Sequence, residues 1–296
     1  MLGLGLSRSS VYDQNHAILK VYNQNCNKVV LMRSCRLPGY EEQGATKGKR
    51  NYAGYNAKLD ASLSRTRSKI FELAMCNPWE YFVTLTLSSE NGNRRDLRTF
   101  KRSLSKWLNN LNSRKGCSIK YLLIPEPHAD GSWHMHGLFM GITENMLRPF
   151  SLQEHLPYRL LSMLKQGRQL FDWPAYAQKF GYVTCERIHD LEACAKYVTK
   201  YITKELGESA ARLNEKLYLC SQGLERAKVA CRGHIVHDFV PDFCNDYVAT
   251  KVFPSFDEAL SLFEDRNISD PMPVGFVDVV SQYLGGAPTW NVCPQI

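Results

Sequence analysis

Residues 81–87 read Tyr-Phe-Val-Thr-Leu-Thr-Leu, β-branched and aromatic throughout, and form the strongest strand signal in the chain. Leu97, Phe100, Leu104, Leu108 and Leu111 then recur at helical spacing, leaving Lys101, Arg102 and Lys106 for a wet face. Two further strands are expected over 121–126 and 133–140, joined by a short turn containing Asp130-Gly131. A helical region over 156–169, a short strand over 182–187 and a helix over 190–205 complete this run. Upstream, Leu63, Ile70, Leu73 and Ala74 predict a helix over 61–76 that also carries Arg65, Arg67 and Lys69; Asn77-Pro78 would end it. Residues 1–60 are polar, with one β-like run around 28–32 and a Gly- and Lys-rich loop or arm over 41–55. After Pro241 the chain turns acidic, with one helix expected around 255–264. The order strand, helix, hairpin, helix, strand, helix describes an α+β domain with a central antiparallel sheet flanked by helices. The expected organisation is an N-terminal extension over 1–65, a candidate DNA-contacting arm; a core domain over 66–237; and a small acidic C-terminal region over 238–296.

Composition narrows the class. Across 296 residues, 44% hydrophobic and 22% charged content argues against wholesale disorder. No apolar run reaches the length of a membrane span, and the first residues lack the basic-then-apolar order of a secretory signal. Ten cysteines without a CxxC pair suggest reduced thiols and a cytoplasmic setting. The net charge of +8 is unevenly placed. Residues 238–296 hold two basic residues, Lys251 and Arg266, against nine acidic ones, so this segment carries −7 and residues 1–237 carry +15. A basic body points to a polyanion such as nucleic acid, although uneven charge alone fits any soluble protein. Gly44-Ala-Thr-Lys-Gly-Lys lacks the phosphate-loop spacing, so no ATP-driven unwinding is expected. Cys231, His234, His237 and Cys244 suggest zinc, but at a spacing that matches no finger; an ordinary strand or turn is the better expectation.

The strand over 133–140 contains His134-Met135-His136. Alternation puts both histidines on one face and Trp133, Met135 and Phe139 on the other. Two imidazoles on a rigid strand suit a metal, though such pairs also arise by chance. The turn adds to this. Ala129-Asp130-Gly131 suits a three-residue loop, a type I turn followed by a left-handed Gly. That loop sets Glu126 opposite His134 and on its face, whereas a two-residue loop would set it opposite Met135. Glu126, His134 and His136 then form a three-ligand cluster. Nitrogen and carboxylate donors without thiolate fit Mg²⁺ or Mn²⁺ acting on a phosphate, with Zn²⁺ remaining open. His128 would face Ser132 near the turn, as a supporting or surface group.

In the helix over 190–205, a rotation of about 100° per residue gathers Leu191, Ala195, Val198 and Ile202 into a buried stripe. Tyr197 and Tyr201 border that stripe, with Lys200 and Lys204 beyond them. Tyrosine can act as a covalent nucleophile and lysine can orient phosphate or favour the phenolate. Taken alone, such a border is usually what packing and snorkelling produce.

The strand near 82–87, the His-hydrophobe-His strand and the Tyr197-Val-Thr-Lys200-Tyr201-Ile-Thr-Lys204 helix occur in this order over roughly residues 66–235. Together they resemble the HUH endonucleases, and within them the rolling-circle replication initiators (Rep proteins) of small bacterial plasmids and single-stranded DNA phages. The paired tyrosines are similar to the two-tyrosine type found in microviruses and filamentous phages. The resemblance implies a metal-dependent nickase and strand transferase for single-stranded or hairpin origin DNA. It implies Glu126, His134 and His136 as metal ligands, Tyr201 or Tyr197 as nucleophile, and Lys204 and Lys200 as their partners. Tyr201 matches the tyrosine of one-tyrosine relatives and is favoured for the first cleavage. A 5′-phosphotyrosine intermediate, a Mg²⁺ or Mn²⁺ cofactor, a bacterial cytoplasm, and a host helicase and polymerase as partners follow from the same resemblance. A relaxase or single-strand transposase of the same superfamily, or an origin-binding regulator without turnover, are the alternatives.

Overall fold

The computed structural model describes residues 12–13, 16–32, 35–36, 54–203, 206–207, 216–244 and 248–263. In chain order these form β1 (Tyr12–Asp13), β2 (His16–Asn23), β3 (Cys26–Met32), β4 (Cys35–Arg36), α1 (Gly54–Met75), β5 (Tyr81–Thr86) and α2 (Leu97–Lys115). They continue with β6 (Lys120–Pro127), β7 (Trp133–Met140), β8 (Arg148–Pro149), α3 (Tyr158–Lys165), β9 (Leu170–Asp172), α4 (Pro174–Phe180), β10 (Val183–Arg187) and α5 (Leu191–Lys200). β11 (Leu219–Cys220), β12 (Lys228–His234), β13 (Phe243–Cys244), β14 (Val248–Phe253) and a short helix Phe256–Leu260 follow. The fold is α+β, with antiparallel sheets flanked by helices. The chain divides into two compact units, residues 69–225 and residues 1–68 together with 226–296.

The first of these units is built on a seven-stranded sheet in the order β11-β6-β7-β5-β10-β9-β8. Its central strands alternate as their sequences require. Tyr81, Val83 and Leu85 of β5 are buried while Phe82, Thr84 and Thr86 are less so, and β7 repeats the pattern with Trp133 and Met135 against His134 and His136. The buried face carries an aromatic core. Trp107 of α2 stands 5.1 Å from Trp173, between centroids, and 5.5 Å from Phe180 of α4, and Phe139 of β7 meets Trp173 at 5.9 Å. Burying each such ring contributes about 1.5–3 kcal/mol, which fixes α2 and α4 to this side. The opposite face is left to the histidines, with α5 lying against it.

Local chemistry sets the helix ends. Asp96 caps α2 by accepting from Thr99 N at 3.0 Å, and Gly116 closes it in the left-handed conformation. The helix expected over 190–205 stops at Lys200. There the Thr199 hydroxyl donates to Lys196 O at 2.7 Å and Ile202 N donates to Thr199 O at 3.1 Å, a tighter i−3 bond that ends the α-helical ladder. α4 is too short to show a period, and Pro174 sits at its start, where proline favours a helix.

The other unit holds a five-stranded antiparallel sheet in the order β12-β2-β3-β14-β13. Ala17, Leu19, Val29 and Phe253 share a face that packs on Ala259, Leu262 and Phe263. The run expected around 28–32 is β3. Its neighbours come from both ends of the chain, so part of the acidic segment, in β13 and β14, is sheet. The arm over 41–53 and residues 264–296 lie outside the described residues.

Gly137 shows how closely β6 and β7 approach. A Cβ at this position would lie 1.9 Å from Leu122 O, so any side chain forces the strands apart. Gly137→Ala is expected to cost roughly 3 kcal/mol, the upper end of overpacking, in urea unfolding followed by tryptophan fluorescence. Gly116→Ala, which meets no atom within 4 Å and only a positive φ, should cost about 1 kcal/mol. Equal costs would refute the close approach.

Candidate metal and tyrosine site

The site begins with the β6–β7 loop. Gly131 N donates to His128 O at 2.8 Å and His128 N donates to Ser132 O at 2.8 Å, enclosing a three-residue loop with Gly131 at φ +79°. Asp130 Oδ1 accepts from Ser132 N at 2.9 Å and stiffens it. The register that follows pairs Glu126 with His134, as the loop length requires. β5 continues the rows, with Thr86 opposite His134 and Thr84 opposite His136.

Those threonines orient the rings. Thr86 Oγ1 lies 2.9 Å from His134 Nδ1, and Thr84 Oγ1 lies 3.1 Å from His136 Nδ1. In each ring Nε2 is the nitrogen left facing away from β5. His136 Nε2 meets Glu126 Oε2 at 2.7 Å, and the His128 ring stacks on His134 with centroids 3.9 Å apart. Burial, then the neighbouring His128 and His136, pushes the His134 pKa down to about 4. Burial also lowers that of His136, against the opposing pull of Glu126. At neutral pH, His134 is therefore an uncharged imidazole.

Among the described residues no three His, Cys, Asp or Glu side chains stand together in an arrangement that could hold a metal ion. The donor chemistry of His136 and Glu126 is nevertheless of the kind that takes a divalent cation. An imidazole whose Nδ1 is held by a hydroxyl offers Nε2 as a ligand, and the His136–Glu126 hydrogen bond places a proton where a cation would substitute.

α5 brings in the phenols. Asp190 caps its start by accepting from Ala193 N at 2.9 Å, and Ala195, Val198 and Ile202 are fully buried. Tyr197 sits edge-on to Phe82 at 5.4 Å, and the Tyr201 ring lies flat on His136 at 4.4 Å with an interplanar angle of 6°. The Tyr201 hydroxyl donates to the Tyr197 hydroxyl at 2.8 Å. The structure thus brings Glu126, His136, Tyr197 and Tyr201 together, with His134 opposite Glu126 and one row along from His136. Lys200 is exposed at the end of α5, and Lys204 lies outside the described residues.

Burial, the hydrogen bond to Tyr197 and the charges of Tyr197 and Glu126 hold the Tyr201 phenol well above its ordinary pKa. Arg159, on α3, acts on Tyr201 in the opposite direction and also disfavours protonation of His136. Arg168, paired with Glu186 of β10, feels the charge of Tyr197, and Arg94 donates to Ser132 Oγ at 3.2 Å beside the histidine turn. None of these arginines stands out in the sequence. Arg159 comes from α3, while Arg94 and Arg168 come from the loops before α2 and before β9, and no local period marks any of them.

The zinc quartet does not assemble. Cys231 and His234 lie on β12 and Cys244 on β13, the two opposite edges of the five-stranded sheet, on the order of 19 Å apart at the usual strand spacing. His234 instead meets His16 edge-on at 5.8 Å.

Residues 80–206 match the family described as Replication-associated protein ORF2, a stretch from β5 through α5 that is under half of the chain. This stretch is similar to replication-associated proteins and contains the whole cluster of histidines and tyrosines. No curated protein and no solved structure matches the chain.

The His134 environment is open to a direct check. Its ring should titrate by NMR near pH 4, not near the ordinary value of about 6.5. With the folded value below the unfolded one, the unfolded chain binds the extra proton. Stability should fall as pH drops from about 6.5 toward 4, less steeply in His134→Gln. Titration near 6.5 would rule out burial as the dominant influence on this ring.

Proposed function

We propose that the chain is a rolling-circle replication initiator that cuts and rejoins single-stranded origin DNA by tyrosine transesterification. The observation carrying this reading is the pair of phenol hydroxyls 2.8 Å apart, with the Tyr201 ring stacked on a histidine that bonds Glu126, inside the stretch similar to replication-associated proteins. A tyrosine oxygen attacks phosphorus and the bond to the 3′-oxygen breaks. That oxygen takes a proton and leaves as a 3′-hydroxyl primer, and a 5′-phosphotyrosine ester remains. Attack by a later 3′-hydroxyl reverses the exchange and frees the tyrosine.

Glu126, His134 and His136 would hold Mg²⁺ or Mn²⁺, which when bound supplies the positive charge that polarises the scissile phosphate. Arg159 favours the phenolate of Tyr201 and is available to a phosphate oxygen. The two phenols answer to one another. Ionising Tyr201 gives up the hydrogen bond it donates to Tyr197 unless the Tyr197 hydroxyl turns to donate in its place, and ionising both places two negative charges side by side. They therefore act in turn. Tyr201, stacked on the ligand His136, takes the first cleavage, and Tyr197 takes the joining step. Lys200 and Lys204 balance charge at the helix end. Strand separation and synthesis fall to a host helicase and polymerase in the cytoplasm of a bacterial cell.

Nicking of labelled single-stranded oligonucleotides tiled across the DNA around the gene tests the reading. Activity should vanish in EDTA, return with Mn²⁺ or Mg²⁺, and fall roughly a hundredfold or more in His134→Ala and His136→Ala. Glu126→Gln should weaken Mn²⁺ binding. Full nicking by the His134→Ala, His136→Ala double variant in chelator would end the metal assignment, and wild-type protein that binds the DNA without cutting would favour the regulator.

The tyrosines separate in the same assay. Tyr201→Phe should slow the first cleavage by on the order of a hundredfold, and Tyr197→Phe should leave cleavage near normal while impairing rejoining. Reversed effects would exchange the two roles.

A further inference from the structure

Tyr182 lies just before β10, and its ring is 75% exposed. Exposed tyrosines are ordinary on protein surfaces, so its place is what matters. Thr86 N donates to Tyr182 O at 2.8 Å, and the adjacent pair Val183–Leu85 is buried on the aromatic face. By alternation Tyr182 projects to the other face, in line with Thr86, His134 and Glu126. It stands two strands from His134, about 10 Å away in that row.

The backbone beneath this ring is clamped. Ser88 N donates to Phe180 O at 2.7 Å, Phe180 is buried in the aromatic core, and Gly181 adopts φ +131°. A Cβ on Gly181 would lie 2.5 Å from Ser88 N, so the segment packs against β5 only with glycine there. A flat, amphipathic ring carried on a held backbone and open to solvent has only its side-chain torsions to lose when a planar ligand stacks on it. The surroundings call for an anionic ligand. Arg94 lies at the histidine turn, and Arg159 acts on both His136 and Tyr201. A planar group attached to phosphate is a nucleotide, and only an unpaired base has its face free to stack.

We propose that Tyr182 is a stacking platform for an unpaired nucleobase of the strand whose phosphate lies over the Glu126–His134–His136 row. This inference rests on the proposed function and adds to it a base-binding subsite outside the reacting groups. Stacking is indifferent to base identity, so the platform contributes affinity and positioning, not sequence choice.

Fluorescence anisotropy with an oligothymidylate of about 12 nucleotides, and with an abasic oligomer of the same phosphate count, tests it. Tyr182→Ala and Tyr182→Leu should weaken oligothymidylate binding roughly fivefold or more, while Tyr182→Phe stays within about twofold of wild type. The dependence of affinity on salt should not change, because no phosphate contact is lost. Affinity for the abasic oligomer should be the same in all variants. Wild-type binding of oligothymidylate by Tyr182→Ala, or an equal loss on the abasic oligomer, would overturn the platform and leave the proposed function standing. Failure of the wild-type protein to bind either oligomer would overturn both.

Discussion

Every group on the histidine face owes its place to the pairing register of β6 and β7. Side chains along a strand alternate, so a slip of one residue would send Glu126 to the aromatic face and break its meeting with His136. Two features pin the register. Gly131 takes the positive φ that a three-residue loop requires, and Gly137 allows β6 closer to β7 than any side chain would. Neither glycine touches the chemistry, yet both decide which groups stand on the histidine face.

From that register the two faces acquire separate tasks. Met135, Leu85 and Val83 send their bulk to the Trp107–Trp173 core, so the opposite face need not contribute much apolar burial and can hold polar rings. Thr84 and Thr86 fill the space beside the histidines and fix their orientation. α5 covers part of this face with a stripe of small and β-branched residues, which sets Tyr201 flat on His136 and Tyr197 against Phe82. Burial, and then the hydrogen bond to Tyr197, hold the Tyr201 phenol in its protonated form; Glu126 adds to this and Arg159 opposes it. In the proposed reaction this is the resting arrangement, with the charge on the phenol withheld until an anionic strand and a cation enter.

Much of this was legible in the sequence because the elements concerned have one wet and one dry face. β5, β7, α2 and α5 announce themselves by period, and the Asp130-Gly131 turn carried the register. β2 did not, since Ala17, Ile18 and Leu19 are all buried and leave no alternation to read. Its sheet also joins strands more than two hundred residues apart, a pairing that no local pattern encodes. The same limit hid Arg159 on α3, Arg94 and Arg168 on two separate loops, and Tyr182, whose place in the row of Thr86 and His134 follows from strand pairing. It also explains the zinc quartet. Cys231 and Cys244 are close along the chain and at opposite edges of a sheet.

The hydroxyls of Tyr197 and Tyr201 are the atoms proposed to take up DNA. The measurement closest to that assignment is mass spectrometry of the peptide left attached to a cleaved oligonucleotide after denaturation and proteolysis. In the wild-type protein it should show a phosphodiester between a 5′-phosphate and Tyr201. The same adduct should move to Tyr197 when Tyr201 is phenylalanine, and disappear when both are. An adduct on any other residue, or cleavage with no adduct at all, would refute these phenols as the nucleophiles.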